Sequence, residues 1–217
     1  MLEVMPDQGR LGLIGTPQQP VDSLRIMAPD SDSKTHVYLL VFASPDADPR
    51  DWHWSISWQV GLSGSDLKAW RHVHIQVHNV VLATVAETRY IFWGAMTKAE
   101  GALTAGARKF SLGKMSLGMR QEIERMALGV PVLRMDRGAR RAWNCQDWVK
   151  DLVGRIIAAG LVSQRTWEAA VADAYLRAWS GLLVFHCGAC ALNWFGLQHG
   201  LMGDVLEVCL EVCLECD

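Results

Sequence analysis

The sequence predicts an α+β domain, a small antiparallel sheet flanked by helices. Two runs alternate between apolar and polar residues. In the first, Trp52, Trp54, Ile56, Trp58 and Val60 are interleaved with His53, Ser55, Ser57 and Gln59; in the second, Val73, Ile75 and Val77 are interleaved with His72, His74, Gln76 and His78. A period of two marks a strand with one apolar and one polar face. Further along, Cys145, Trp148, Val149, Leu152, Val153, Ile156 and Ile157 recur at the three-and-four spacing of an amphipathic helix. With 217 residues, half of them hydrophobic, the chain suits one domain with appendages and a sizeable core.

Residues 1–34 are rich in Pro, Gln, Asp and Ser without periodicity, and are expected to form a flexible N-terminal arm. The compact domain is expected over 35–179. It opens with the apolar, β-branched run 36–44, a buried strand, followed by turn chemistry over 44–51. The alternating strand 52–60 comes next. Gly61 to Asp66 then supplies a turn into 72–78; centred near Gly64, it sets His53 opposite His74 or Ile75 with both histidines on the polar face. Residues 88–96 read as a third strand of the same sheet, and Gly101 to Gly118 as a glycine-rich loop. A short helix over 119–128 turns Ile123, Met126 and Ala127 inward and stops at Gly129 and Pro131. The helix at 145–159 has Asn144 as its N-cap, a carboxylate from Asp147 in its first turn and Gly160 as its stop. A last helix covers 163–179, with Ser163 as its cap. Residues 180–217 form a Cys-rich, low-complexity extension in which Leu-Glu-Val-Cys repeats every four residues.

Composition narrows the function classes. A net charge of -2 and a pI near 6.4 argue against a nucleic-acid partner, which usually requires a basic face. The local cluster of Arg134, Arg137, Arg140 and Arg141 is short and reads as a solvated loop. No secretory signal is evident, so a cytoplasmic, reducing compartment and free thiols are the expectation. The uncharged stretch from Ala178 to Gly203 has the length of a bilayer span, roughly 20 residues. It is interrupted by His186, Asn193, Gln198, His199 and glycines, so a membrane partner is not expected. Phosphate loops, nucleophile elbows and HExxH zinc motifs are lacking, and no cofactor is expected.

Five of the six cysteines lie from Cys187 onward, which leaves Cys145 alone at the first position of its helix. Unsatisfied N–H groups and the helix dipole at that position favour a thiolate. A thiol nucleophile needs an imidazole to take its proton; His53 is the candidate base and His74 the residue to orient it. Against this stands the reading of Cys145 as a small buried hydrophobe on the apolar face of its own helix. Zinc is the other chemistry weighed. His72, His74 and His78 share a face, but no carboxylate or cysteine stands beside them. The pairs in Cys187, Cys190, Cys209, Cys213 and Cys216 have metal-ligand spacing but lack the turn residues of zinc knuckles.

The order of "DWHWSISW" at 51–58 and "NCQDWV" at 144–149 resembles fungal proteins of unassigned function with an HWS…NCxxWV pattern. Those in turn resemble the permuted papain-like thiol proteins of the NlpC/P60 superfamily, including the lecithin-retinol acyltransferase-like and PPPDE groups. The likeness covers about residues 36–175; the tail has no counterpart. It implies Cys145 as nucleophile, His53 as base, and His74 or else His72 as the polar residue orienting that base. The activity implied is a thiol hydrolase or acyl/amide transferase acting on a carbonyl-containing substrate, with no cofactor. Two other classes stay open: a catalytically silent interaction module of the same fold, and a zinc-binding protein acting through the C-terminal cysteines.

Overall fold

The computed structural model describes residues 3–183 apart from 18, 45, 62–67, 83–84 and 135–142. The chain divides into two units, Met1–Ser180 and Gly181–Asp217; the five tail cysteines and their zinc reading lie outside the described residues. The first unit is α+β. Its strands are β1 Thr35–Phe42, β2 His53–Val60, β3 Ala69–Val73, β4 Gln76–Leu82, β5 Val85–Ile91, β6 Met96–Ala99 and β7 Arg108–Met115. Five of them form one antiparallel sheet in the order β6-β3-β2-β1-β7, while β4 and β5 pair as a separate two-stranded sheet. The helices are α1 Leu24–Met27, α2 Ala102–Gly106, α3 Leu117–Leu128, α4 Cys145–Ala158 and α5 Gln164–Leu183.

Period-two alternation gives the sheet two faces. On one, Val37, Leu39 and Val41 of β1 lie opposite Trp58, Ile56 and Trp54 of β2. These residues join Trp148, Val149, Leu152 and Val153 of α4, Ile123 and Ala127 of α3, and Ala170 and Ala174 of α5 in the main core. Burying a large apolar side chain stabilises by about 1.5–3 kcal/mol, and Trp54, Trp58 and Trp148 are all fully buried. On the other face, Tyr38, Leu40 and Phe42 of β1 stand opposite Ser57, Ser55 and His53. That polar-looking face is buried as well: Ser55 and Ser57 have no exposed surface and His72 only 2%. Leu40, Trp70 and Ala107 form a second, smaller core there, with Tyr38 and Phe42 packed against it.

Several expectations are corrected. The run 72–78 is not one strand, because the chain breaks at His74–Ile75; β3 stays in the main sheet and β4 leaves it. The alternation of residue types survives that break, so it could not reveal it. Within the expected strand 88–96, residues up to Ile91 pair with β4, while Met96 begins the edge strand β6. The supposed loop Gly101 to Gly118 contains α2, β7 and the start of α3. Its β7 is irregular opposite Val37 and Tyr38, which breaks the even spacing of Phe110, Leu112 and Met115 that would have marked a strand.

The N-terminal segment, expected as a flexible arm, is anchored. Met5, Leu13 and Ala28 are buried. Asp30 meets the fully buried Arg120, whose donors also reach the carbonyls of Ser31, Ser33 and Met115. Asp22 and Glu124 clamp the guanidinium of Arg71, which also reaches Thr97. A buried cation is tolerable only with its donors matched in this way. The low hydrophobicity of residues 1–34 thus reflects polar anchoring, which a periodicity test does not detect.

Candidate functional site

Asn144 starts α4 as expected. Its side-chain oxygen accepts from the N–H groups of Gln146 (2.9 Å) and Asp147 (3.4 Å), and the Asp147 carboxylate accepts from the Asn144 N–H at 3.1 Å, which completes a capping box. The same helix end is tied to the segment leading into β2. Asn144 Nδ2 donates to the Arg50 carbonyl (2.7 Å), Asp147 pairs with the Arg50 guanidinium, and Gln146 Nε2 donates to the carbonyls of Pro49 (2.7 Å) and Trp52 (3.0 Å). Gln146 is fully buried, and its Oε1 accepts from the Tyr175 hydroxyl at 3.0 Å. Arg50, Gln146 and Tyr175 were missed in the sequence. Gln146 reaches backbone carbonyls, Arg50 the Asp147 carboxylate and Tyr175 the Gln146 amide oxygen, all far away in the chain, and no spacing rule points to those.

Cys145 is 7% exposed, and its thiol donates to the Trp52 carbonyl at 3.7 Å. The N–H of Trp54 also stabilises its sulfur, so the thiol lies against backbone on both sides of His53. Among the described residues, no hydrogen bond runs from the thiol to an imidazole. Burial pushes the thiol pKa up, offset in part by the N–H groups of Trp54, Cys145 and Gln146 and by the charge of Arg50. The helix start therefore does not by itself yield the expected thiolate; desolvation outweighs it.

The imidazole of His53 leaves β2 on the face of Ser55 and Ser57, and its Nε2 lies 2.9 Å from Nδ1 of His74. The register, with Ser57 opposite His72 and Ile56 opposite Val73, is offset from that of a turn centred on Gly64. β3 has ended before it would face His53, and His74 reaches it from just past the strand. His72 stacks on His74 with centroids 5.6 Å apart, and its Nδ1 lies 2.9 Å from Ser57 Oγ, which in turn is 2.8 Å from Ser55 Oγ. Burial, with the nearby Lys98 ammonium, lowers His53 and His72 to about 4. His74 goes well below its usual value, from burial and from His53, His72 and Lys98. All three are neutral at pH 7. A neutral imidazole has one N–H, so one ring of the His53–His74 pair donates and the other accepts. His74 Nε2 is buried without a partner among the described residues.

His78 does not join this group. It lies on β4 and accepts from Trp93 Nε1 at 3.1 Å. Among the described residues, no group of three His, Cys, Asp or Glu side chains is placed to hold a metal ion. Arg134 pairs with Glu3 and Glu87, while Arg137, Arg140 and Arg141 lie outside the described residues. A cavity of about 840 Å³ opens elsewhere, between the N-terminal segment, Trp93 and the end of α3, with Arg71 in its wall. No helix among the described residues is long and apolar enough to cross a membrane. Compared with family models, curated proteins and solved structures, the chain matches none.

Proposed function

We propose that the chain is a thiol hydrolase or acyl/amide transferase with a permuted papain-like domain, in which Cys145 is the nucleophile, His53 the base and His74 the residue that orients it. One observation carries this reading: the His53–His74 hydrogen bond sits on the stretch of β2 whose backbone receives the Cys145 thiol. The layout also supports it, with a histidine at the start of one strand, its partner just past the next, and the cysteine at the start of a helix packed on the sheet. The thiol lies in the core on the tryptophan face while the His53 imidazole leaves β2 on the serine face, so the two do not meet at rest; the reading requires the His53 side chain to swing round the start of β2 before it can take the proton as sulfur attacks the carbonyl. The substrate is a carbonyl compound with an oxygen or nitrogen leaving group.

Alkylation tests the reading. At neutral pH, low iodoacetamide modifies Cys145 in the folded protein, and His53→Ala slows it at least tenfold. Labelling of Cys145 only after denaturation would end the nucleophile reading. That outcome would favour a silent interaction module of the same fold, for which the buried thiol hydrogen-bonded to backbone is the specific observation.

A further inference from the structure

Arg108 is a cation that neither the capping of α4 nor the histidine cluster uses. It opens β7 opposite Val41, which in turn stands opposite Trp54 on β2. Residues directly opposite one another share a face of the sheet, so the three form one row on the tryptophan face. Cys145 belongs to the core on that face, together with Val41, Trp52 and Trp54. From this row the Arg108 guanidinium reaches over the Trp52 ring, 5.2 Å from its centroid. The Trp52 carbonyl is the group that accepts from the Cys145 thiol at 3.7 Å. Trp52 thus has the thiol at its backbone and the guanidinium at its side chain.

The guanidinium lacks the partner that its burial calls for. Arg108 is half-buried, and its Nη1 is buried without a hydrogen bond among the described residues. Other guanidiniums sunk into this domain are matched: Arg50 meets Asp147, Arg71 meets Asp22 and Glu124, Arg120 meets Asp30, and Arg89 donates to the Leu11 carbonyl. A cation drawn out of water is costly unless its donors are satisfied. The face of Trp52 attracts the charge but leaves the in-plane N–H donors unmatched. Those donors call for an acceptor from outside the chain.

We propose that Arg108 sets the substrate class, by binding a carboxylate on the acyl portion of the compound that Cys145 attacks; this rests on the thiol-enzyme reading above. One planar fork matches the plane and the single charge of a carboxylate. With that carboxylate held beside Trp52, a carbonyl a few bonds away is presented to the thiol on the same residue's backbone. Sulfur bonds to the carbonyl carbon, the bond to the leaving oxygen or nitrogen breaks, and the leaving group departs with the proton that the thiol gave up. Water or an acceptor nucleophile then breaks the thioester and frees the acyl group. The substrate is a half-ester or half-amide of a dicarboxylic acid.

Two esters tested on the full chain separate the outcomes: mono-p-nitrophenyl glutarate, and p-nitrophenyl pentanoate, in which a methyl group replaces the carboxylate. Mass spectrometry reads the acylation of Cys145. The glutarate ester should acylate wild type roughly tenfold faster, as a hydrogen bond to a charged group allows. Arg108→Gln keeps part of the stem beside Trp52 and should abolish that preference, with the pentanoate rate within about twofold of wild type. Equal rates with the two esters in wild type would overturn the role of Arg108 and leave the thiol enzyme standing, and that comparison depends on no variant. A preference that persists in Arg108→Gln, including one in which both rates fall together, would overturn it too. Failure of both esters to acylate wild-type Cys145 would remove the thiol reading, and the substrate class with it.

Discussion

The two faces of the five-stranded sheet are both buried, but by different physics. The tryptophan face is covered by three helices and held by apolar area. The opposite face buries Ser55, Ser57, His72 and His74 beside the half-buried His53, and pairs their polar atoms among themselves apart from His74 Nε2. Apolar burial is indifferent to pH, whereas a buried imidazole resists its own protonation. The contrast teaches that a polar strand face need not be a wet one, and that its cost appears only when its charge state changes.

Experiments can break this comparison, taken from the largest expected effect to the smallest. Trp54→Ala on the apolar face should cost about 3–5 kcal/mol in denaturant titrations, with little dependence on pH. Acid should act on the other face. The folded pKa of His72 lies at about 4, below its unfolded 6.5. The unfolded chain therefore binds protons first as pH falls, and stability present above pH 6.5 is lost on the way down to about 4. That loss is about 3 kcal/mol for His72 alone, with His53 adding in the same direction. Unfolding midpoints measured from pH 7 to pH 4 should show this steepening, and His72→Asn should reduce it. Ser57→Ala leaves His72 Nδ1 without its partner and should cost about 1–3 kcal/mol. Asn144→Ala removes the cap of α4 and should cost about 1 kcal/mol in thermal melts, independently of which face is probed.

Much of the frame was legible from periodicity. β1 and β2, the inward residues of α3 and the whole of α4 with its cap follow from spacing and capping rules alone. What escaped was information carried by partners distant in the chain. The split between β3 and β4 occurs at His74–Ile75, where the residue pattern continues unbroken. β7 was hidden by its irregular register, and the N-terminal segment by anchors, Asp22 and Asp30, that are polar. At the candidate site, the alternation placed His53 on the serine face, and the structure brings His74 to it at 2.9 Å. The neutral state of the thiol was not legible, because Cys145 is buried against the Trp52 carbonyl, which lies 93 residues away in the chain.

The ties between the start of α4 and the segment before β2 span 93 residues at the thiol and 97 at the Arg50–Asp147 pair. During synthesis, residues 49–54 leave the ribosome long before Cys145 exists. The strands of the main sheet can pair first, but the seat for the thiol stays empty until nearly the whole domain has emerged. The chain thus carries no assembled Cys145 site until α4 has emerged and docked on the sheet, and any chemistry at that sulfur waits for that step.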